Sequence, residues 1–98
     1  MMTEQASLIS VVLVFYNVSV INLEAAIKSV LAQDYDCWEL LLVDDGSTNH
    51  SRELAHNYAR LYPHHIHYLT HERHLNLGVS ASYNLGIARA KGNYLAFL

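Results

Sequence analysis

Apolar positions along this chain follow two rhythms. Leu8-Ile9-Ser10-Val11-Val12-Leu13-Val14-Phe15 is almost continuously apolar and rich in β-branched side chains. A strand covered on both faces reads this way, which points to a parallel sheet beneath helices. From Asn22 to Gln33 the rhythm changes: Leu23, Ile27, Val30 and Leu31 fall at i, i+4, i+7 and i+8. That spacing predicts a helix with one apolar face, with Asn22 as its N-cap and Glu24 in its first turn. Asp34 to Cys37 reads as a turn, and Trp38 to Val43 as a second buried strand.

The helical rhythm returns from Ser51 to Tyr62, through Leu54, Tyr58, Leu61 and Tyr62, and Pro63 stands just past its end. His65 to Leu69 is a shorter and more polar strand, expected nearer a sheet edge. A third helix is predicted over 80–90, with Ala81, Leu85 and Ala88 inward and Gly92 beyond its C-terminus. Tyr94 to Leu98 begins a fourth apolar strand. The order β-α-β-α-β-α-β predicts an α/β fold, a Rossmann-like doubly wound and mainly parallel sheet with helices on both faces. Because Leu98 is strand-like with no turn behind it, residues 1–98 are expected to be a fragment of a larger domain.

Composition narrows the function. The chain is 52% hydrophobic and 15% charged, so it is globular material. A formal charge of −3, with six scattered Lys and Arg residues, argues against a nucleic-acid partner. The single cysteine, Cys37, excludes an internal disulfide and suits a reducing, cytoplasmic compartment. Residues 1–7 lack the basic and apolar regions of a signal peptide. The apolar stretch from Leu8 falls far short of the roughly 20 residues that span a bilayer, so no transmembrane segment is expected in this chain.

Ligands of open parallel sheets bind beyond the carboxyl ends of the strands. Three polar or glycine-bearing loops are expected at that end: Phe15-Tyr16-Asn17, Asp44-Asp45-Gly46-Ser47, and Asn76 to Asn84. Each has a plainer reading. Asp-Gly-Ser is ordinary turn chemistry, Tyr16 can cover a sheet edge, and Asn76-Leu77-Gly78 can simply start a helix. Their coincidence at one end is what favours a ligand site. No G-x-G-x-x-G follows the first strand and no G-x-x-x-x-G-K-[ST] occurs, which argues against a nicotinamide enzyme and a P-loop NTPase. His64, His65, His67, His71 and His74 crowd into eleven positions. On a strand, His65 and His67 would share a face, as a zinc-chelating pair does. The plainer reading is an exposed polar strand and loop. A non-catalytic α/β module, His-rich and metal-binding or signalling, is therefore the alternative class. A phosphoryl-receiver domain fits less well, because it needs its acid pair after the first strand, where Phe15-Tyr16-Asn17 stands.

The successive segments SVVLVFYN, AAIKSVLAQDYDCWELLLVDDGST and NLGVSASYNLGIARAKGNYLAFL resemble the amino-terminal part of a family 2 glycosyltransferase of the GT-A fold, from about Ser10 to Leu98. Two departures stand inside the match: Ser82-Tyr83 replaces the Ala-Arg common before the asparagine, and the segment from His64 to His74 is unusually rich in histidine.

That resemblance implies a glycosyltransferase, with a nucleotide-sugar site at the carboxyl edge of strands one and two. The donor implied is UDP-linked, and the acceptor an unspecified glycan or lipid. Val14, Phe15 and Tyr16 would border the base, and Asp45 would accept the uracil imide N–H. Cytosine lacks a hydrogen at the corresponding ring nitrogen and would be rejected. Ser47 and Gly78 complete the implied nucleotide-binding set, while Asp44 and Gly46 would serve the turn. The implied cofactor is Mn²⁺ or Mg²⁺, held by an acidic motif beyond Leu98, with the base of an inverting mechanism later still. No catalytic residue and no metal ligand is thus expected within residues 1–98. The longer protein could sit at the cytoplasmic face of a membrane.

Overall fold

The computed structural model describes residues 7–98. Seven regular elements alternate along it: β1 (Ile9–Phe15), α1 (Val20–Leu31), β2 (Trp38–Asp44), α2 (Ser51–Leu61), β3 (Ile66–Thr70), α3 (Val79–Arg89) and β4 (Tyr94–Phe97). A 3₁₀ turn over Glu72–His74 lies between β3 and α3. The four strands form one parallel sheet in the order β3-β2-β1-β4. The connection from β3 to β4 carries the chain back across the sheet to the far side of β1, reversing the direction of winding, so helices cover both faces.

Strand alternation divides the core. Leu13 and Phe15 of β1, with Leu40 and Leu42 of β2, pack against Leu23, Ile27 and Val30 of α1 and Ala55 of α2. The opposite faces of the same strands present Val12, Leu41 and Val43 to Tyr83 and Leu85 of α3. The fold is therefore a Rossmann-like, doubly wound α/β sheet, and the burial of β1 and β2 on both faces explains their unbroken apolar runs. β3 lies at an edge, as its shorter and more polar sequence predicts.

Helix α1 starts earlier than its apolar rhythm suggests. Ser19 is the N-cap, its Oγ accepting the Asn22 N–H at 3.2 Å, so Asn22 is already helical. Glu24 consequently lies past the first turn and instead accepts the Tyr58 hydroxyl of α2 at 2.7 Å. In α3 the inward positions are Ser82 and Gly86, with Tyr83 and Leu85 beside them, and Ala88 faces solvent. Gly86 sets this rotation: a Cβ there would lie 2.6 Å from Val12 Cγ1, so its bare backbone seats the helix on the sheet.

Buried polar groups join the elements. Glu39 Oε2 accepts the Ser10 hydroxyl at 2.6 Å and the Lys91 N–H at 2.7 Å, and Gly92 N–H reaches Ser10 Oγ at 2.8 Å. This network pins the start of β4 beside β1 and β2. Among the described residues no helix is long and apolar enough to cross a membrane.

Candidate functional site

The carboxyl ends of β1 and β2 open into two loops that are laced together. Asp45 N–H donates to the Phe15 carbonyl at 2.9 Å, extending the strand register by one residue. Asn17, held at φ 48°, turns its Oδ1 toward the other loop and accepts Thr48 N–H at 2.7 Å and Asn49 N–H at 3.3 Å. Its own N–H donates to Ser47 Oγ at 2.9 Å. Asparagine tolerates the left-handed region because its short polar side chain bonds locally.

The two carboxylates at this end are both buried, and each has its own partners. Asp44 Oδ1 accepts the Ser47 N–H at 2.8 Å, and Oδ2 accepts the Tyr68 hydroxyl at 2.7 Å. Burial, and then that hydrogen bond, push the Tyr68 phenol well above its ordinary range. Asp45 turns the opposite way, toward the segment leading into α3. Its Oδ1 accepts the N–H groups of Leu77 at 2.8 Å and Gly78 at 3.1 Å. Its Oδ2 accepts the same Gly78 N–H at 3.1 Å and Asn76 Nδ2 at 3.2 Å. The repulsion between adjacent carboxylates is thus met by separate sets of donors.

Two glycines permit this approach. Gly46 has φ 87°, and a Cβ on it would stand 2.9 Å from the Asn76 backbone nitrogen. Gly78, at φ 98° and ψ 166°, turns the chain into α3 while aiming its N–H at Asp45.

The expected site residues are brought to one end of the sheet, with different exposures. Tyr16 stands at the rim, 51% exposed. Val14 is half-buried beneath α3. Phe15 has its ring in the core under α1, and its carbonyl is taken by Asp45. Ser47 is fully buried, with its hydroxyl bonded to Asn17.

Two histidines that sequence reasoning treated only as part of a polar tract also converge here. His71 Nε2 lies 2.8 Å from Ser82 Oγ and 3.5 Å from Asp45 Oδ1. His74 Nε2 lies 2.8 Å from the Ser47 carbonyl, and its Nδ1 is 2.8 Å from Thr70 Oγ1. A carbonyl only accepts, so Nε2 carries a proton and donates to Ser47. The available signal was positional: these histidines follow the third strand, whose end is adjacent to the Asp44 turn.

A glycosyl transferase family 2 model matches residues 10–98. The chain belongs to that family. It is 35% identical over 98 residues to a putative teichuronic acid biosynthesis glycosyltransferase, TuaG, of Bacillus subtilis (strain 168), covering 99% of this chain and 37% of that protein. It is 34% identical over 97 residues to YibD of Escherichia coli (strain K12), an uncharacterized glycosyltransferase, covering 99% of this chain and 27% of that one. The chain therefore spans about a third of the length of these relatives. Among solved structures, a mannosyltransferase from Pyrobaculum calidifontis in complex with GDP-Man and Mn²⁺ superposes with a TM-score of 0.77 at 20% identity, over 89% of this chain and 25% of that one. That likeness supports the GT-A type of fold.

In this family 2 chain the acid pair does not suit a divalent cation, because both carboxylates point their lone pairs at N–H and O–H donors. Among the described residues no group of three His, Cys, Asp or Glu side chains converges as a metal site. The expected shared face of His65 and His67 is not formed. His65 precedes β3 and packs its ring against Trp38 at a 48° tilt with centroids 4.8 Å apart, whereas His67 turns to Glu39 at 3.7 Å. Pairing by alternation holds only inside a strand, and β3 begins at Ile66.

Proposed function

We propose that this chain is the nucleotide-binding part of a glycosyltransferase that moves a sugar from a UDP-linked donor to a glycan or lipid acceptor with inversion. The observation that carries the reading is the convergence of exposed Tyr16, the Asp45 carboxylate and the Gly78 backbone at the carboxyl ends of β1 and β2. Family 2 membership and the GT-A likeness support it.

The chemistry assigns separate tasks. Tyr16 offers a ring at the rim for a base to lie against. Asp45 accepts the imide N–H of uracil by exchanging it for an N–H of the Leu77-Gly78 segment, so base binding and movement of that segment are linked. Asp44 and Gly46 hold the turn that aims Asp45, and the main chain at Val14 and Phe15, with Ser47, shapes the floor. The divalent cation that would neutralise the departing diphosphate takes its ligands from acidic residues outside this chain, since neither Asp44 nor Asp45 fits one. The base that deprotonates the acceptor lies outside it too. Residues 1–98 accordingly bind donor without transferring sugar, on the cytoplasmic side of the cell.

Calorimetric titration with UDP, CDP and GDP tests this. UDP binds and CDP does not, and Asp45→Asn weakens UDP binding by about 1–3 kcal/mol, the usual cost of an unmatched buried polar contact. Guanine also carries a ring N–H, so a preference for GDP overturns the assignment of donor. Absence of binding by all three overturns the assignment of the site.

A further inference from the structure

At the other flank of the sheet, β3 lies along an open groove whose walls are the C-terminal half of α2 and the residues ending α3. Its floor is apolar, made by Ile66 and Tyr68 on the α2 side and Leu41 and Leu69 on the α3 side. Leu40 N–H donates to the His65 carbonyl at 2.7 Å, so the peptide groups of His65 and His67 face β2. By the alternation of a parallel ladder, those of Ile66, Tyr68 and Thr70 face outward. Ile66 N–H is taken by the Tyr62 carbonyl at 2.8 Å. The Tyr68 N–H and C=O remain directed into the groove as strand-pairing groups.

The rim is cationic. Arg60 stands on the α2 wall, and Arg89 and Lys91 stand on the other. These are three of the six Lys and Arg residues in a chain of net charge −3. No Lys or Arg among the described residues pairs with a carboxylate: every ion pair there uses a histidine as its base. Glu39, the acid in the groove, is already bonded to Ser10 and the Lys91 N–H.

We propose that this edge docks an extended acidic peptide segment of a protein partner, which adds to β3 as a further strand. Main-chain bonds to Tyr68 hold the segment, apolar side chains fill the floor, and carboxylates meet Arg60 on one face and Arg89 and Lys91 on the other. A second copy of this chain is a poorer occupant, because Ile66-His67-Tyr68-Leu69-Thr70 offers no carboxylate to those cations.

The test uses the whole chain and a fluorescein-labelled peptide, Glu-Glu-Val-Thr-Val-Glu-Glu, followed by anisotropy. The acidic peptide binds at least about tenfold more tightly than its Lys-Lys-Val-Thr-Val-Lys-Lys counterpart, and added salt weakens it. The double variant Arg60→Glu, Arg89→Glu reverses the preference; both side chains are exposed, so the fold survives. N-methylation of alternate peptide nitrogens abolishes binding by removing the strand donors. Equal affinity for both peptides, no affinity for either, or indifference to N-methylation overturns the proposal. So does binding to phosphatidylserine vesicles without binding to the peptide, or a dimer in sedimentation that Tyr68→Pro dissolves.

Discussion

The Asp45 carboxylate accepts the backbone N–H of Leu77 at 2.8 Å and that of Gly78 at 3.1 Å, across 32 and 33 residues of sequence. One buried side chain thereby ties the end of β2 to the start of α3. Hydrogen bonds to a charged acceptor contribute more than neutral ones, and donors left behind in a buried site cost more still. Asp45→Asn keeps one oxygen but turns an amide toward the same donors. The expected loss is about 1–3 kcal/mol of unfolding free energy, read from urea denaturation. An unchanged midpoint would mean that the carboxylate does not organise this segment.

Gly46 and Gly78 separate two costs of the same loop geometry. Gly78, at φ 98° and ψ 166°, has nothing within 4 Å of an added Cβ, so Gly78→Ala carries only the backbone penalty, about 1–3 kcal/mol. Gly46→Ala adds a collision with the Asn76 backbone at 2.9 Å to its own positive φ. It should be the more destabilising of the two in parallel thermal melts, and it alone should speed amide exchange at Leu77. The reverse order would show that the two loops are not in close contact.

The order of elements was legible because β1 and β2 are buried on both faces and their side chains say so residue by residue. Ends of elements were less legible, since they depend on single atoms. The Ser19 hydroxyl moves the start of α1, and the small Ser82 and Gly86 rotate α3 so that Ala88 faces outward. At the site, the convergence of three loops could be anticipated from topology alone. The partners of each carboxylate could not, because Tyr68, His71 and Asn76 approach across 24 to 31 residues, and no local pattern encodes that.

His56 lies over the Tyr68 ring, with centroids 3.9 Å apart, and burial holds its pKa below the usual value, with Arg52 and Arg60 adding to the effect. The folded state therefore prefers the neutral ring, and the unfolded chain takes up the proton at higher pH. By linkage this group contributes its stability above pH 6.5, and the contribution is lost as pH falls below that value toward the lowered pKa. His56→Gln should make the decline of the denaturation midpoint between neutral and mildly acidic pH shallower. NMR titration of the ring should show a lowered pKa directly; an ordinary value would remove the basis for the effect.

His74 sits in the left-handed region at φ 56°, next to Arg73 at the same angle, and this strain sends its ring beneath the Asp44 turn. Nε2 donates to the Ser47 carbonyl and Nδ1 is hydrogen-bonded to Thr70 Oγ1, each at 2.8 Å. His74→Leu removes both bonds and keeps the strain, so roughly 1–2 kcal/mol of stability should be lost. His74→Gln can still extend an N–H toward the carbonyl and should recover part of that. His74→Gly removes the bonds but also relieves the backbone, so its loss should be smaller than that of His74→Leu. Urea denaturation of the three variants side by side distinguishes these contributions. If leucine and glutamine cost the same, the ring acts by filling space, and the bond to Ser47 contributes nothing to holding the turn.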